Sequence, residues 1–383
     1  MSPSSRSLLV AIVLVAACAL PAFLTASLAP QIREDFPFGS TALGIAFAAF
    51  WGCSALASPL AGRLAERLGP AGSIRLAGVG VAACCALVAV VQGPILLVAA
   101  LVLGGAGNAM SVPGISTLFA RDVVPERQGF AFGVGIAGMP AASLLAGLAV
   151  PLIGLSLGWR AAFAGAGVAV LAVAFAVRPA PHEPAAGGGG ATLTLLFAIL
   201  ALGGLLGSAA AGSIAAFLVV AARDVGFTPA GAGLLLAVAS ALAVTTRLAL
   251  GSLADRRRRG GHLPVVAAML SADAGGYLLL SSAEPLVFGA GALLASSAGW
   301  GWLALILYAA FDRSRDAPAA ATGILQGALY AGGFVGPLAF GVLADEASFA
   351  LAWLAMAVLA VLGAAGVLLG EVAFRRVEPA EVV

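Results

Sequence analysis

The chain has no lysine, only two histidines and only four cysteines in 383 residues. Charged residues make up 9% of it, against about 25% in soluble domains. Each absence excludes something. His182 falls in a polar break and His262 at a helix start, and Cys18, Cys53, Cys84 and Cys85 all lie in apolar stretches. No metal-ligand spacing exists, and the thiols read as small core residues rather than disulfides or ligands. A net charge of +2 leaves no electrostatic footprint for nucleic acid. No nucleophile–base pair and no cofactor loop occurs, so neither an enzyme nor a cofactor is expected. The exclusive use of arginine, beside much Ala and Gly, reads as the codon bias of a GC-rich genome. No polar stretch between the apolar segments is long enough for a soluble catalytic or signalling domain.

What is abundant is apolar surface. Apolar residues are 62% of the chain, more than a soluble core can bury. They fall in segments near the ~20 residues that cross a bilayer. The sequence predicts twelve: 7–29, 40–61, 74–91, 94–118, 129–156, 160–178, 192–221, 229–254, 262–281, 285–309, 317–343 and 347–371. Pro30, Pro37, Gly69-Pro70, Gly93-Pro94, Pro125, Pro229, Pro264 and Glu284-Pro285 punctuate the breaks. Ser7 to Ala29 is long enough to remain as a first span rather than be removed as a signal peptide.

Arginine placement orients the set. With the N-terminus inside, the inner loops and ends hold Arg6, Arg63, Arg67, Arg75, Arg121, Arg127, Arg178, Arg256 to Arg259, Arg313, Arg315, Arg375 and Arg376. The outer side holds Arg33, Arg160 and Arg223. This bias predicts both termini in the cytoplasm and a multi-pass protein of the plasma or inner membrane. A Pro-then-Gly stretch over 179–191 reads as a flexible cytoplasmic linker. It separates an N-terminal six-helix bundle, 1–178, from a C-terminal one, 192–383.

A short phrase occurs at equivalent places in the two halves. Gly62-Arg-Leu-Ala-Glu66-Arg67 closes span 2, and Gly251-Ser-Leu-Ala-Asp255-Arg256 closes span 8. A glycine there lets a neighbouring helix come close. The acid can accept bonds from the free N–H groups at a helix start, and the arginine can bridge to an acid across a gap. As a plainer alternative, these are stop-transfer charges.

These residues resemble the major facilitator superfamily of transporters, in its twelve-span form. The match lies in Gly62, Leu64, Ala65, Arg67 and Gly69, with Glu66 where the family has aspartate and Pro70 where it has a basic residue. It is repeated in Gly251, Leu253, Ala254, Asp255 and Arg256. Pro125-Glu-Arg-Gln-Gly129, Gly158-Trp-Arg-Ala-Ala-Phe163 and Gly332-Gly-Phe-Val-Gly-Pro337 add to it. The resemblance implies an all-α membrane protein, its 12 transmembrane helices in two pseudo-symmetric six-helix bundles. It also implies a secondary active transporter working by alternating access, with the phrase as a gate that ties the halves together. The implied partners are a small-molecule substrate, membrane lipid and a coupling proton, in a monomer.

Two charges fall inside spans. Arg247 lies ~12 Å in from the end of span 8, and Asp273 ~16 Å into span 9, at 1.5 Å per residue. A charge at that depth costs ~2.5–3.5 kcal/mol even on the lenient insertion scale, so both ask for a role. Arg247 has three readings: an anion site, a structural ion pair with Asp273, or a snorkelling side chain in the arginine cluster. Arg247-x-x-x-Gly251 is similar to span 8 of carboxylate carriers. Asp273 reads either as the other half of that pair or as a proton-coupling site.

In this fold spans 1, 4, 7 and 10 line the cavity. That makes Thr25, Asn108, Ser111, Ser296 and Trp300 candidates for substrate contact, with Gln326 and Tyr330 on span 11. Trp51 and Ser208 complete a weaker set, and interhelical packing is the alternative reading for all of them. Few polar handles among small apolar walls suit a small or fairly apolar solute. The leading expectation is an organic anion, monocarboxylate-like, moved with protons. The alternative is efflux of hydrophobic compounds or drugs by proton antiport. A transporter-like receptor that carries nothing is the remote alternative. Ser58 stands where nitrate porters have a second arginine, which argues against nitrate. Gly138-Met-Pro140 departs from the Gly-Pro pair of drug–proton antiporters.

Overall fold

The computed structural model describes residues 3–124, 131, 133–177, 195–256, 262–303, 305–307, 309 and 318–377. The expected linker at 179–191 lies outside these residues, as do Pro125–Gly129 and Arg257–Arg259. So do the side chains of Glu66 and of residues 251–256.

Twelve helices are long and apolar enough to cross a membrane: Ser5–Ser27, Ser40–Ala65, Arg67–Val90, Pro94–Phe119, Gly133–Gly154, Trp159–Ala176, Phe197–Asp224, Pro229–Leu250, His262–Leu280, Pro285–Leu307, Leu325–Glu346 and Phe349–Ala373. They are spans 1 to 12 below. Helix is the form that satisfies every backbone N–H and C=O internally where no water is at hand. The fold is the all-α, twelve-helix one that the sequence implies. The end of the bundle that carries the Gly62 phrase is called the motif end, and the opposite one the far end.

Spans 2 and 3 meet more tightly than expected. The helix runs from Ser40 to Val90 with one interruption, Gly69, at φ 68° and ψ −179°. Glycine takes that φ without a Cβ penalty. Pro70 follows, its ring pre-set for a first helical turn. Ser73 Oγ donates to Gly69 O (2.7 Å) and fastens the corner. Span 3 is thus helical from the Gly69–Pro70 corner rather than from 74, because the proline opens the helix instead of prolonging the loop. At the far end of span 5, Val150–Gly154 forms a single π-helical turn. Pro151, with no N–H to give, stands inside it.

Within each half, small residues bring backbones together in place of a hydrophobic drive, which lipid does not supply. A methyl group at Gly276 would come within 2.6 Å of Ala295 N, and one at Gly107 within 2.9 Å of Val81 N. Gly336 sits so close to Ala209 O that no side chain fits between spans 11 and 7. Span 7 is the most enclosed helix, with 89% of its apolar window buried against 33–67% for the others. It is the axis around which the C-terminal half packs.

The halves touch unevenly. Span 2 meets span 11 through Gly44, held against Pro337 O, and through Gly52, where an added methyl would come within 2.7 Å of the Phe334 ring. Gly62 lies eighteen residues beyond Gly44, about five turns at 3.6 residues each, and so on the same face. Nothing lies within 4 Å of a Cβ placed there, nor of one at Gly327 of span 11. Leu56 and Leu60 are 85% and 68% exposed. Among the described residues, then, spans 2 and 11 are in contact at the far end and apart at the motif end. Spans 5 and 8 stay together for longer, through Gly147 against Gly233 O and the Ser240 Oγ to Ser143 Oγ bond (2.9 Å).

The far end is also clasped inside the N-terminal half. Asp35, at the end of the short helix Ala29–Asp35, accepts from Trp159 Nε1 (3.0 Å) and pairs with Arg160. The Arg160 guanidinium also lies over the Trp159 ring, 4.2 Å from its centroid. The bonds from Arg160 and then from Trp159 hold the Asp35 carboxyl below the usual carboxylate range. A depressed carboxyl contributes stability above its unfolded pKa of about 3.9, lost as pH falls through the folded value. The melting difference between the native protein and Asp35→Asn in detergent should thus be constant from pH 8 to pH 5. It should shrink only below about pH 4.

Candidate substrate site between the halves

Arg247 is 2% exposed. Span 8 turns it toward span 5 of the other half, where Nη1 donates to Ile136 O (3.0 Å). Its Nε and Nη2 are buried without a partner among the described residues. One turn nearer the bilayer centre, Ala243 and Ser240 of the same helix line a narrow slot between the halves. Pro140 and Ser143 of span 5, Ser296 and Trp300 of span 10, Ile214 and Ala215 of span 7 and Leu236 complete its wall. Gly301, next to Trp300, faces Thr246 and Leu250. Arg247 thus lies one turn from the slot that Ser296 and Trp300 line, without lining it itself.

Asp273 is elsewhere. It is fully buried inside the C-terminal half, its carboxylate against Gly299 of span 10, where an added methyl would come within 2.9 Å of Oδ1. It stands beside Tyr277, whose ring stacks on Trp353 (5.9 Å, 12°). No ion pair joins Arg247 to Asp273 among the described residues. Similar depth on consecutive spans does not bring them together, because they leave their helices in different directions.

The other candidates divide. Asn108 Nδ2 donates to Ser54 Oγ (3.1 Å), and Ser54 Oγ donates to Gly105 O (2.9 Å), so this pair ties span 4 to span 2. Ser111 Oγ returns its proton to Asn108 O (2.7 Å), and Thr25 Oγ1 to Pro21 O (2.9 Å). All are buried, with their hydrogen bonds inside the N-terminal half. Gln326 is half-buried, one turn nearer the motif end than Tyr330. Tyr330 stacks on Trp51 of the other half, with ring centroids 6.1 Å apart and 25° between planes. Of the gate residues, Gly62 faces open space, Arg67 is exposed, and Gly251, Asp255 and Arg256 are helical.

Phe23 and Phe47, absent from the sequence reading, join Trp51, Trp300 and Tyr330 in an aromatic group at the seam. Phe23 of span 1 lies 6.2 Å from Trp51, 6.2 Å from Trp300 and 5.9 Å from Phe47, centroid to centroid. Phe23 and Trp300 belong to different halves, as do Trp51 and Tyr330. Edge and stacked aromatic contacts of this kind contribute about 0.5–1.5 kcal/mol each beyond area burial. They form a plug between the halves, with the slot beside it.

Two six-helix units that meet closely at one end, part at the other and keep a buried cation at their seam define a membrane carrier that rocks about a central site. The family profile described as Major Facilitator Superfamily matches residues 10–320. The chain belongs to that superfamily and is a secondary transporter working by alternating access. Its fold is similar to two structures of a bacterial homologue of the human lysosomal transporter Spinster. The inward-facing, unoccupied one has a TM-score of 0.77 at 16% identity, covering 99% of this chain and 99% of that one. The inward-facing, occupied one has a TM-score of 0.77 at 17% identity, covering 98% and 99%. At these identities the likeness concerns the fold. No curated protein matches the chain by sequence.

Proposed function

We propose that the protein carries a small organic anion of monocarboxylate type across the plasma or inner membrane, with both termini in the cytoplasm and with protons as the coupling ion. The observation that supports this most is Arg247. A guanidinium buried at the seam between the halves, with two N–H edges unpartnered, is costly where water is excluded. A carboxylate that reached it would meet a planar fork of donors matched to its two oxygens. Ser296 and Trp300 would face the rest of a small, largely apolar molecule. Asp273 is assigned the proton, because it is a buried carboxyl apart from the anion site and without a cation paired to it among the described residues. With the arginine-rich motif end in the cytoplasm, the conformation seen is closed outward and parted inward.

Efflux of hydrophobic compounds is the second reading, favoured by the aromatic plug between the halves. Purified protein in proteoliposomes separates the two. Under an imposed inward proton gradient a panel of labelled short-chain carboxylates should accumulate, and under the reverse gradient, which drives accumulation by proton antiport, a panel of apolar cations should not. Accumulation of the apolar cations alone, with no carboxylate moving, would overturn the anion reading.

A further inference from the structure

Span 11 ends in Gly341-Val-Leu-Ala-Asp345. This is the Gly251-Ser-Leu-Ala-Asp255 phrase with one residue changed. Span 11 runs the other way through the bundle from spans 2 and 8, so this third copy sits at the far end. Its acid is engaged. Asp345 Oδ1 accepts from Ser40 N (2.8 Å) and Oδ2 from Thr41 N (2.7 Å), and these are the first two helical residues of span 2. Thr41 Oγ1 donates back to Gly341 O (3.3 Å).

The bonds join residues about 300 positions apart, in different halves. They belong to a place where no other side chain caps the helix: Gly39 is the N-cap residue and has none to offer. A carboxylate there satisfies two of the N–H groups that a helix start leaves open, and faces the positive end of the dipole. Two glycines make the approach possible. A methyl group at Gly39 would come within 2.6 Å of Asp345 Oδ2, and one at Gly341 within 2.5 Å of Ser40 O. Arg33, stacked over Phe38 (5.1 Å), adds an attractive charge to Asp345 from the N-terminal half.

We propose that Asp345 is a positioning residue for transport: a far-end latch that caps span 2 only while the far end is closed, and so sets the balance between the two access states. A cap inside one rigid half would be present in both states. This one crosses the seam, so opening the far end must break it and return both N–H groups to water. At the motif end Gly62, the glycine of the first copy, faces open space. The same short phrase thus serves the two ends in alternation, which suits a bundle built from inverted repeats. The inference rests on alternating access and not on the identity of the substrate.

The test reads conformation without substrate, in the full chain. One spin-label pair at Glu34→Cys and Ala347→Cys reports the far end, and one at Leu60→Cys and Gly327→Cys the motif end. Both are read by pulsed dipolar spectroscopy in nanodiscs. Asp345→Ala should lengthen the far-end distances and shorten the motif-end ones, moving the open-to-closed ratio about fivefold, as loss of a typical cap would. Asp345→Asn, keeping one acceptor oxygen, should fall between. Ser40→Pro removes one of the two N–H groups at a first helical position that tolerates proline, after a residue already extended (Gly39, ψ 176°). It should shift the ratio the same way, and Asp345→Ala should add less on top of it than in the native protein, because only the Thr41 N–H bond is left to lose. Unchanged distances in Asp345→Ala would overturn the proposal. So would single effects that simply add, because the two groups would then not act through one contact.

Discussion

Arg247→Ala is expected to lower carboxylate transport on the order of 100-fold while leaving the protein folded. Losing one partner of a desolvated charge pair costs about 2–5 kcal/mol, and that loss falls on the bound state alone. In the empty protein the guanidinium has one backbone acceptor, Ile136 O, and two N–H edges without one. Removing it there takes away a buried, under-satisfied charge. The melting temperature of Arg247→Met, which keeps the volume, should therefore hold or rise. Arg247→Lys keeps the charge but loses the planar fork, and transport should fall about tenfold. The measurements are initial rates in proteoliposomes at matched protein density, beside thermal melting in detergent. A melting temperature that collapses together with transport would make Arg247 a structural residue. Full transport by Arg247→Ala would remove it from the mechanism.

Asp273 supplies the complementary comparison. It lies inside one half, against Gly299, with its neighbours Tyr277 and Trp353 stacked beside it. A substitution there acts on the packing of spans 9, 10 and 12 before it acts on the seam. Arg247 and Asp273 were equally conspicuous in the sequence as charges at similar depth. The structure separates them by the side of the helix from which each leaves.

That difference shows where the sequence is legible. Span number follows from length and hydropathy, which a bilayer enforces directly, and the limits follow only to within several residues. The halves follow from a phrase that recurs at half the chain length. Direction around each helix does not follow, because these helices are apolar on all sides and carry no polar face to read. Asn108 is therefore readable as a cavity residue or as an interhelical contact, and its amide meets Ser54 on a helix 54 residues earlier. Phe23 gave no signal, since one phenylalanine in an apolar span is indistinguishable from any other. Gly341–Asp345 is hidden for another reason: it repeats the phrase at the opposite end of the bundle, away from the arginine-rich loops that mark the other two copies.

The second large effect is expected at glycines, and its kind depends on which two helices the glycine separates. Gly336 lies against Ala209 O of span 7, within the C-terminal half, and Gly147 against Gly233 O of span 8, across the seam. Both contacts are with backbone, which cannot rotate away as a side chain could. Overpacking typically costs about 1–3 kcal/mol where neighbours can shift, and more where they cannot. Gly336→Leu has no alternative conformation in which the clash is relieved, since spans 7 and 11 stay together in both access states. It should reduce the yield of folded protein and lower the melting temperature by many degrees. Gly147→Leu does have such a conformation. A methyl group there would come within 2.6 Å of Gly233 O only while the far end is closed. The halves can escape by parting at that end, so the variant should fold and melt close to the native protein. Its transport should fall at least tenfold, because one of the two access states has become about 1–3 kcal/mol harder to reach. Cysteine labelling at the far end should rise in Gly147→Leu and not in Gly336→Leu. Two substitutions alike in chemistry would then differ in outcome solely because one glycine belongs to a rigid body and the other to the surface between two.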